Sequence, residues 1–399
     1  MTTTDRLRLG VALEGAGWHP AAWREESSRP QELFTPQYWV DVVQRADAGG
    51  IDFATIEDSF ALQSSLPFGP DERTDEVRGR LDALLIASRV APVTRRIGLI
   101  PTVTTTHTEP FHISKAVATL DYTSLGRAGW QPKVSGRWDE ARLFGRRDVP
   151  AFDDLSDPRV HQAISALFAE AEDVVDVVRR LWDSWEDDAE IRDAATDRFL
   201  DAEKVHTVDF DGQWFSVRGP SITPRSPQGQ PVIAALAHAE VPYRFAAASA
   251  DLVFVTPQRL AEAGGILADV RAAEIAIGRE GEPLRVYADI VVFLDGDEPA
   301  AARLERLDGL GRLLVSDTRI FTGSATVLAD EIAALGDLGY AGVRLRPGVL
   351  TVDVPRIADQ LVPELRRREL LADSDAPSLR GLLGLPATVP NRYAPALAG

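Results

Sequence analysis

The chain of 399 residues has no cysteine, which excludes disulfides, thiolate metal sites and cysteine nucleophiles together. Asn391 is its only asparagine and Lys115, Lys133 and Lys204 its only lysines, a bias that points to a GC-rich genome. Positive charge is also scarce: 43 basic against 61 acidic residues leave a net charge of -18, which repels nucleic acid phosphates and anionic membrane surfaces. The densest cationic cluster, Arg366 to Arg368, falls at a predicted helix end, where cations favour the dipole. No apolar run is long enough to span a bilayer, and MTTTDRLRLGVAL has no cationic segment ahead of an apolar core. The expectation is a cytoplasmic protein with neither nucleic acid nor membrane as a partner. Phosphate-loop, dinucleotide, zinc-hydrolase and nucleophile-elbow signatures are missing too. Six histidines without paired spacing predict no metal site.

What is present is a strand and helix alternation. Strands are predicted to begin near Leu7, Asp52, Ile97, Ala128, Pro231, Leu252, Val286 and Gly342, with helices between them. Eight is the number that closes a TIM (β/α)8 barrel, with an open doubly wound sheet as the runner-up. Two segments break the rhythm and read as insertions, 136–157 and 186–230, the second carrying a hairpin at Asp211-Gly212. With a C-terminal extension over 372–399, the expectation is one α/β barrel domain across 1–399. Long helices are predicted near Val160 to Trp185, Ala301 to Val315 and Val354 to Leu371.

The stretch Ile97 to Ser135 organises the rest. An apolar run passes into Thr104, Thr105 and Thr106, then a helix with Ile113, Val117 and Leu120 in register, then a second strand. Hydroxyls therefore cluster where a parallel strand ends, which is where such folds bind ligands. His19, His107, His112 and His238 also fall near predicted strand ends, whereas His161 and His206 belong to an outer helix and the excursion. Trp18, Phe60, Phe68 and the aromatics from Phe144 to Phe152 suggest an apolar pocket.

The strings HPAAWR from His19, TEPFHISK from Thr108, LDYTSLGRAGW from Leu120, KVHTVDFDGQWFSVRGP from Lys204, PRSPQGQPV from Pro224 and LRGLLGLPATVPNRYA from Leu379 resemble one family. It is the bacterial luciferase-like flavin-dependent monooxygenases, in the branch of nitrilotriacetate, pristinamycin synthase and dibenzothiophene sulfone monooxygenases. The resemblance implies a luciferase-like barrel with insertions that takes reduced FMN from a separate flavin reductase. It implies oxygenation of a small organic substrate with O2 through a flavin C4a-hydroperoxide, in a homodimer or homotetramer. Carried over by position, Asp58, Ser59, Thr104, Thr105 and Gln131 would line the flavin pocket. Ser135 would bond the ring or peroxide, and His19 would bond the peroxy oxygen.

The chain departs from this pattern at three places. Gln131 replaces the asparagine of the family's G-W-N, Pro132-Lys133-Val134 replaces its V-V-T, and Pro132 predicts a bent or bulged strand. His238, Ala239 and Pro242 stand in the phosphate loop, where the family's serine and glycine are lost. Leu167-Phe168 replaces an Arg-Tyr pair, and His238, Tyr243 or Arg244 could compensate. Two alternatives therefore stay open: a non-catalytic, flavin-poor barrel acting as a partner subunit or binding protein, and a deazaflavin-dependent hydride-transfer oxidoreductase.

Overall fold

The structure, a computed structural model, describes residues 6–66, 69–150, 158–372 and 376–394. Phe68, Phe152 and parts of both 136–157 and 372–399 lie outside them. Eight parallel strands carry the fold: β1 Arg8–Leu13, β2 Phe53–Ile56, β3 Gly98–Thr104, β4 Gly129–Lys133, β5 Val232–Leu236, β6 Leu252–Val255, β7 Arg285–Leu294 and β8 Gly342–Pro347. Each pairs with the next, and β8 pairs with both β7 and β1, so the sheet closes into a TIM barrel and the open sheet is ruled out. All eight begin within a residue of the predicted positions.

Alternation along the strands sorts the barrel interior into layers, because every second side chain points inward. Phe53, Ile100, Val232, Leu252, Phe254 and Tyr287 form an apolar lower layer. Two residues further along β2, β3 and β7 come Thr55, Thr102 and Asp289, joined by Gln131 of β4 and Arg344 of β8. The floor is stopped by the C-terminal segment, where Leu379, Leu382, Leu383 and Leu385 pack against the lower layer. A Cβ on Gly98 would stand 2.3 Å from Leu379 Cδ1, so glycine there lets the plug seat without Leu379 shifting.

Outside the barrel run α1 Pro36–Ala48, α2 Ala83–Val90, α3 Pro110–Thr123, α4 Trp138–Phe144, α5 Pro158–Asp183, α6 Glu240–Ser249, α7 Leu260–Ile277, α8 Ala300–Asp308 and α9 Ala325–Asp337. Four details differ from the sequence expectation. The helix predicted to reach Val315 stops at Asp308, where Gly309 follows, and a short strand Ile320–Gly323 pairs with the end of β7. The last long helix starts at Leu350 and widens to a π turn over Ile357–Leu361. There Val362 N–H bonds Ile357 O, just ahead of Pro363, which has no N–H to give. The register of β4 on β3 runs unbroken through Pro132, with no bulge; instead the pairing to β5 ends at Trp130. Within 136–157, α4 forms, which composition alone did not suggest.

Asp52 ties the base of β1 to β2, accepting from Leu9 N–H at 2.8 Å and Arg8 Nη1 at 3.3 Å. Burial pushes its carboxyl up to about 6 from an ordinary value near 3.8, against the opposing pull of Arg8. A carboxyl raised in the native state holds its proton more tightly folded than unfolded. Its favourable term is therefore full at low pH and is lost as pH rises through about 4 to 6, by about 3 kcal/mol. Urea unfolding of an Asp52→Asn variant is expected to show its stability relative to wild type rising by that amount between pH 4 and 7. A difference independent of pH would remove the buried charge as its cause.

Candidate active site at the barrel mouth

The upper interior layer is an ion-pair network on the barrel axis. Arg344 donates to Asp289 Oδ1 at 2.8 Å and Oδ2 at 2.5 Å, to Gln131 Oε1 at 2.8 Å and to Thr55 Oγ1 at 3.2 Å. Its guanidinium lies 3.9 Å from the Phe254 ring centroid. Arg346 adds bonds to Asp289 Oδ2, at 2.9 and 2.5 Å, and to Asp317, and stacks over Trp18. Burial would raise the Asp289 carboxyl, but the two arginines override it and hold it below its usual range. Gln131 Nε2 donates to Thr102 Oγ1 at 2.9 Å and to both Glu57 oxygens at 3.3 Å. Two cations and three carboxylates, Asp289, Asp317 and Glu57, thus form one network, with the Gln131 amide between Arg344 and Glu57.

Beside this network the ends of β2, β3 and β4 are laced together. Asp58 Oδ2 accepts from Ala83 N–H at 2.8 Å and Oδ1 from Ser59 N–H at 2.7 Å, so its carboxylate caps the start of α2. Lys133 Nζ donates to Asp58 O at 2.7 Å. Thr105 donates its N–H and hydroxyl to Lys133 O, and Thr106 Oγ1 accepts from Ser135 N–H at 2.9 Å. Ser135 Oγ accepts from Arg137 N–H at 3.3 Å, and Thr104 is buried in register with Lys133. Ser59 Oγ donates to Glu140 Oε1 on α4, which also takes Ala61 N–H.

Six of the predicted residues, Asp58, Ser59, Thr104, Thr105, Gln131 and Ser135, therefore share one edge of the mouth. His19 stands apart, beside Phe293 of β7. Its Nδ1 accepts from Ala21 N–H at 2.9 Å, which places the proton on Nε2, bonded to Asp308 Oδ1 at 3.1 Å. Burial lowers its pKa despite Asp308. Both nitrogens are thus committed to the protein frame. His238 and Ala239 lie exposed before α6, whose N-cap Ala239 makes no side-chain bond. Of the residues read as compensating there, Tyr243 is buried, and Arg244 lines a cleft with Arg179 and Asp251 at the strands' other ends. Glu57, Glu140, Asp289, Arg344 and Arg346 were not singled out from the sequence. Charges at every second position in an apolar strand, as in Val343-Arg344-Leu345-Arg346, were the available signal.

The polar groups of this edge are of the kind a flavin ring takes: the Gln131 amide and the hydroxyls of Thr104 and Ser135, with Lys133 held on Asp58 O beside them. They do not supply a phosphate cradle at α6, where Ala239 has no hydroxyl, Pro242 has no N–H and Glu240 brings an acid into the first turn.

A closed parallel barrel whose polar residues gather at the strands' C-terminal mouth is the architecture of a (β/α)8 enzyme. Residues 4–338 match the model of the luciferase-like monooxygenases, and the chain belongs to that family. The curated relatives it matches are named monooxygenases, and the chain is an enzyme of that class. It is similar to component A of nitrilotriacetate monooxygenase from Aminobacter aminovorans, 32% identical over 79% of this chain and 70% of that one. It is equally similar to N-acetyl-S-(2-succino)cysteine monooxygenase from Bacillus subtilis, 32% identical over 76% of this chain and 65% of that one. The chain thus spans about two thirds of the length of these relatives. A riboflavin lyase structure superposes with a TM-score of 0.81 at 22% identity, covering 96% of this chain and 97% of the other, a likeness of fold. No helix among the described residues is long and apolar enough to cross a membrane, and none of their side chains cluster as a metal site.

Proposed function

We propose that the protein is the oxygenating component of a two-component system, using reduced FMN supplied by a flavin reductase to oxygenate a small organic substrate. The observation that carries this reading is the polar layer around Gln131 at the mouth of a family barrel. The flavin, when bound, supplies the oxygen-activating chemistry. Gln131, held by Arg344 and Thr102, would orient the polar edge of the ring, with Thr104 and Lys133 beside it. Ser135, fixed through Thr106, would present a hydroxyl at the reacting face, while Asp58, Ser59 and Thr105 would hold the surrounding loops in place. His19 would brace the β1 loop against α8. The unit is one barrel with its two insertions and C-terminal extension, working in the cytoplasm as a homodimer or homotetramer.

A second reading, a flavin-poor barrel serving as a partner subunit, is favoured by one observation, the missing donors at Ala239 and Pro242. Anaerobic titration with reduced FMN separates the two. Saturable binding at micromolar levels is the expected result, followed by substrate-dependent oxidation once O2 is admitted. No binding would favour the partner subunit, and a parallel titration with a reduced deazaflavin reads out the hydride-transfer alternative.

A further inference from the structure

His107 follows the threonine run at the end of β3, is only 6% exposed, and its Nε2 has no hydrogen-bond partner among the described residues. The ring is stacked on Phe144 of α4, with centroids 5.0 Å apart and planes 10° from parallel, and Phe60 meets Phe144 edge-on at 4.7 Å. Glu140, one turn earlier on α4, is 1% exposed. Ser59 and Ala61 fix its Oε1, and Oε2 is buried without a partner among the described residues. Two orphaned polar atoms beside an aromatic stack are costly unless something binds them, because a buried polar group that has lost water gains nothing back until it is paired.

We propose that His107 and Glu140 form the polar end of a substrate subsite for a small neutral aromatic molecule carrying one hydrogen-bond donor, a phenol or aromatic amine. This rests on the monooxygenase reading and names the substrate class for it. The charges around the subsite choose against anions. Arg147 is matched by Glu170 through two bonds of 2.6 and 2.5 Å, and Arg137 by Asp139 through two of 3.0 and 2.7 Å. Lys133 is spent on Asp58 O. No unmatched cation among these is left to receive a carboxylate, while Glu140 offers a free lone pair that accepts a donor. Burial lowers the pKa of His107 more than Glu140 raises it, so a neutral imidazole faces the ligand as donor or acceptor.

A cleft of about 210 Å³, lined by Gly136, Arg147, Glu170, Val149, Ile164 and Leu167, lies on the side of the Arg147–Glu170 pair. A polycarboxylate such as nitrilotriacetate, the compound in one relative's name, would meet Glu140 with no cation to offset it.

Calorimetry on the full chain, with and without saturating reduced FMN, tests this with 4-methylphenol, 4-methylanisole and 4-methylbenzoate. The phenol is expected to bind at least ten-fold more tightly than the ether, which has no donor, and the benzoate least of all. His107→Phe keeps the stack and removes both nitrogens, and is expected to weaken the phenol about ten-fold, while His107→Gln restores most of that loss. Neither change should move FMN affinity. Tighter binding of the benzoate, or unchanged phenol binding in His107→Phe, would overturn the subsite. Failure of FMN itself to bind would overturn the flavin reading and leave the phenol result to be judged on the flavin-free chain.

Discussion

Replacing Arg344 with methionine is expected to lower the unfolding free energy by about 3–5 kcal/mol, the range for breaking one side of a buried ion pair. Arg344 is fully buried and holds both Asp289 oxygens, the Gln131 carbonyl and Thr55. Methionine nearly fills the volume and returns none of these bonds. Asp289 would be left with Arg346, and Gln131 would lose the partner that fixes which way its amide points. Denaturation in urea reads the loss directly. A variant that replaces Asp289, Arg344 and Arg346 together with apolar residues is expected to recover much of it, because the desolvation cost vanishes with the charges. A loss below about 1 kcal/mol for Arg344→Met would mean that water, not the network, satisfies this layer. The same variants should weaken reduced FMN, since Gln131 is the proposed ring contact.

Restoring donors at the start of α6 should change flavin affinity more than any substitution at the ring end. The double variant Ala239→Ser, Pro242→Gly adds one hydroxyl and one N–H where a phosphate would meet the helix N-terminus. Each charge-assisted bond contributes about 1.5–3 kcal/mol, so the two together would tighten FMN by roughly hundred- to ten-thousand-fold before Glu240 opposes part of the gain, and at least ten-fold tightening is expected. Riboflavin, which has no phosphate, should bind as it does to the wild type. Equal gains for both flavins, or none for FMN, would place the phosphate elsewhere.

The barrel was legible because its strands and helices obey period and punctuation. Gly49-Gly50 ends α1, Thr35 caps it, and apolar runs at Ile97 and Val286 mark interior strands. The hydroxyl-rich edge was legible as well, since Thr104, Thr105, Gln131 and Ser135 all sit at strand ends that resemble the family's. The network was not, because its members lie on five strands separated by as many as 289 residues, Thr55 to Arg344. Nothing local says that Asp289 faces Arg344 rather than solvent. His19 illustrates the reverse case. The resemblance placed it at the chemistry, while Asp308, a distant residue in α8, occupies its remaining nitrogen. The segment 136–157 looked like charged loop because α4 is only seven residues long, too short for a clear apolar face.

The stopper under the barrel bears on how the molecule is made. Leu379 to Leu385 close the floor, yet they leave the ribosome after every strand they seal. Until they arrive, Phe53, Phe254 and Tyr287 form the bottom of an open tube with water at its lower end. Completion of the interior is therefore a late event in synthesis, and a chain cut short after β8 would carry all eight strands around a wet, unfinished centre.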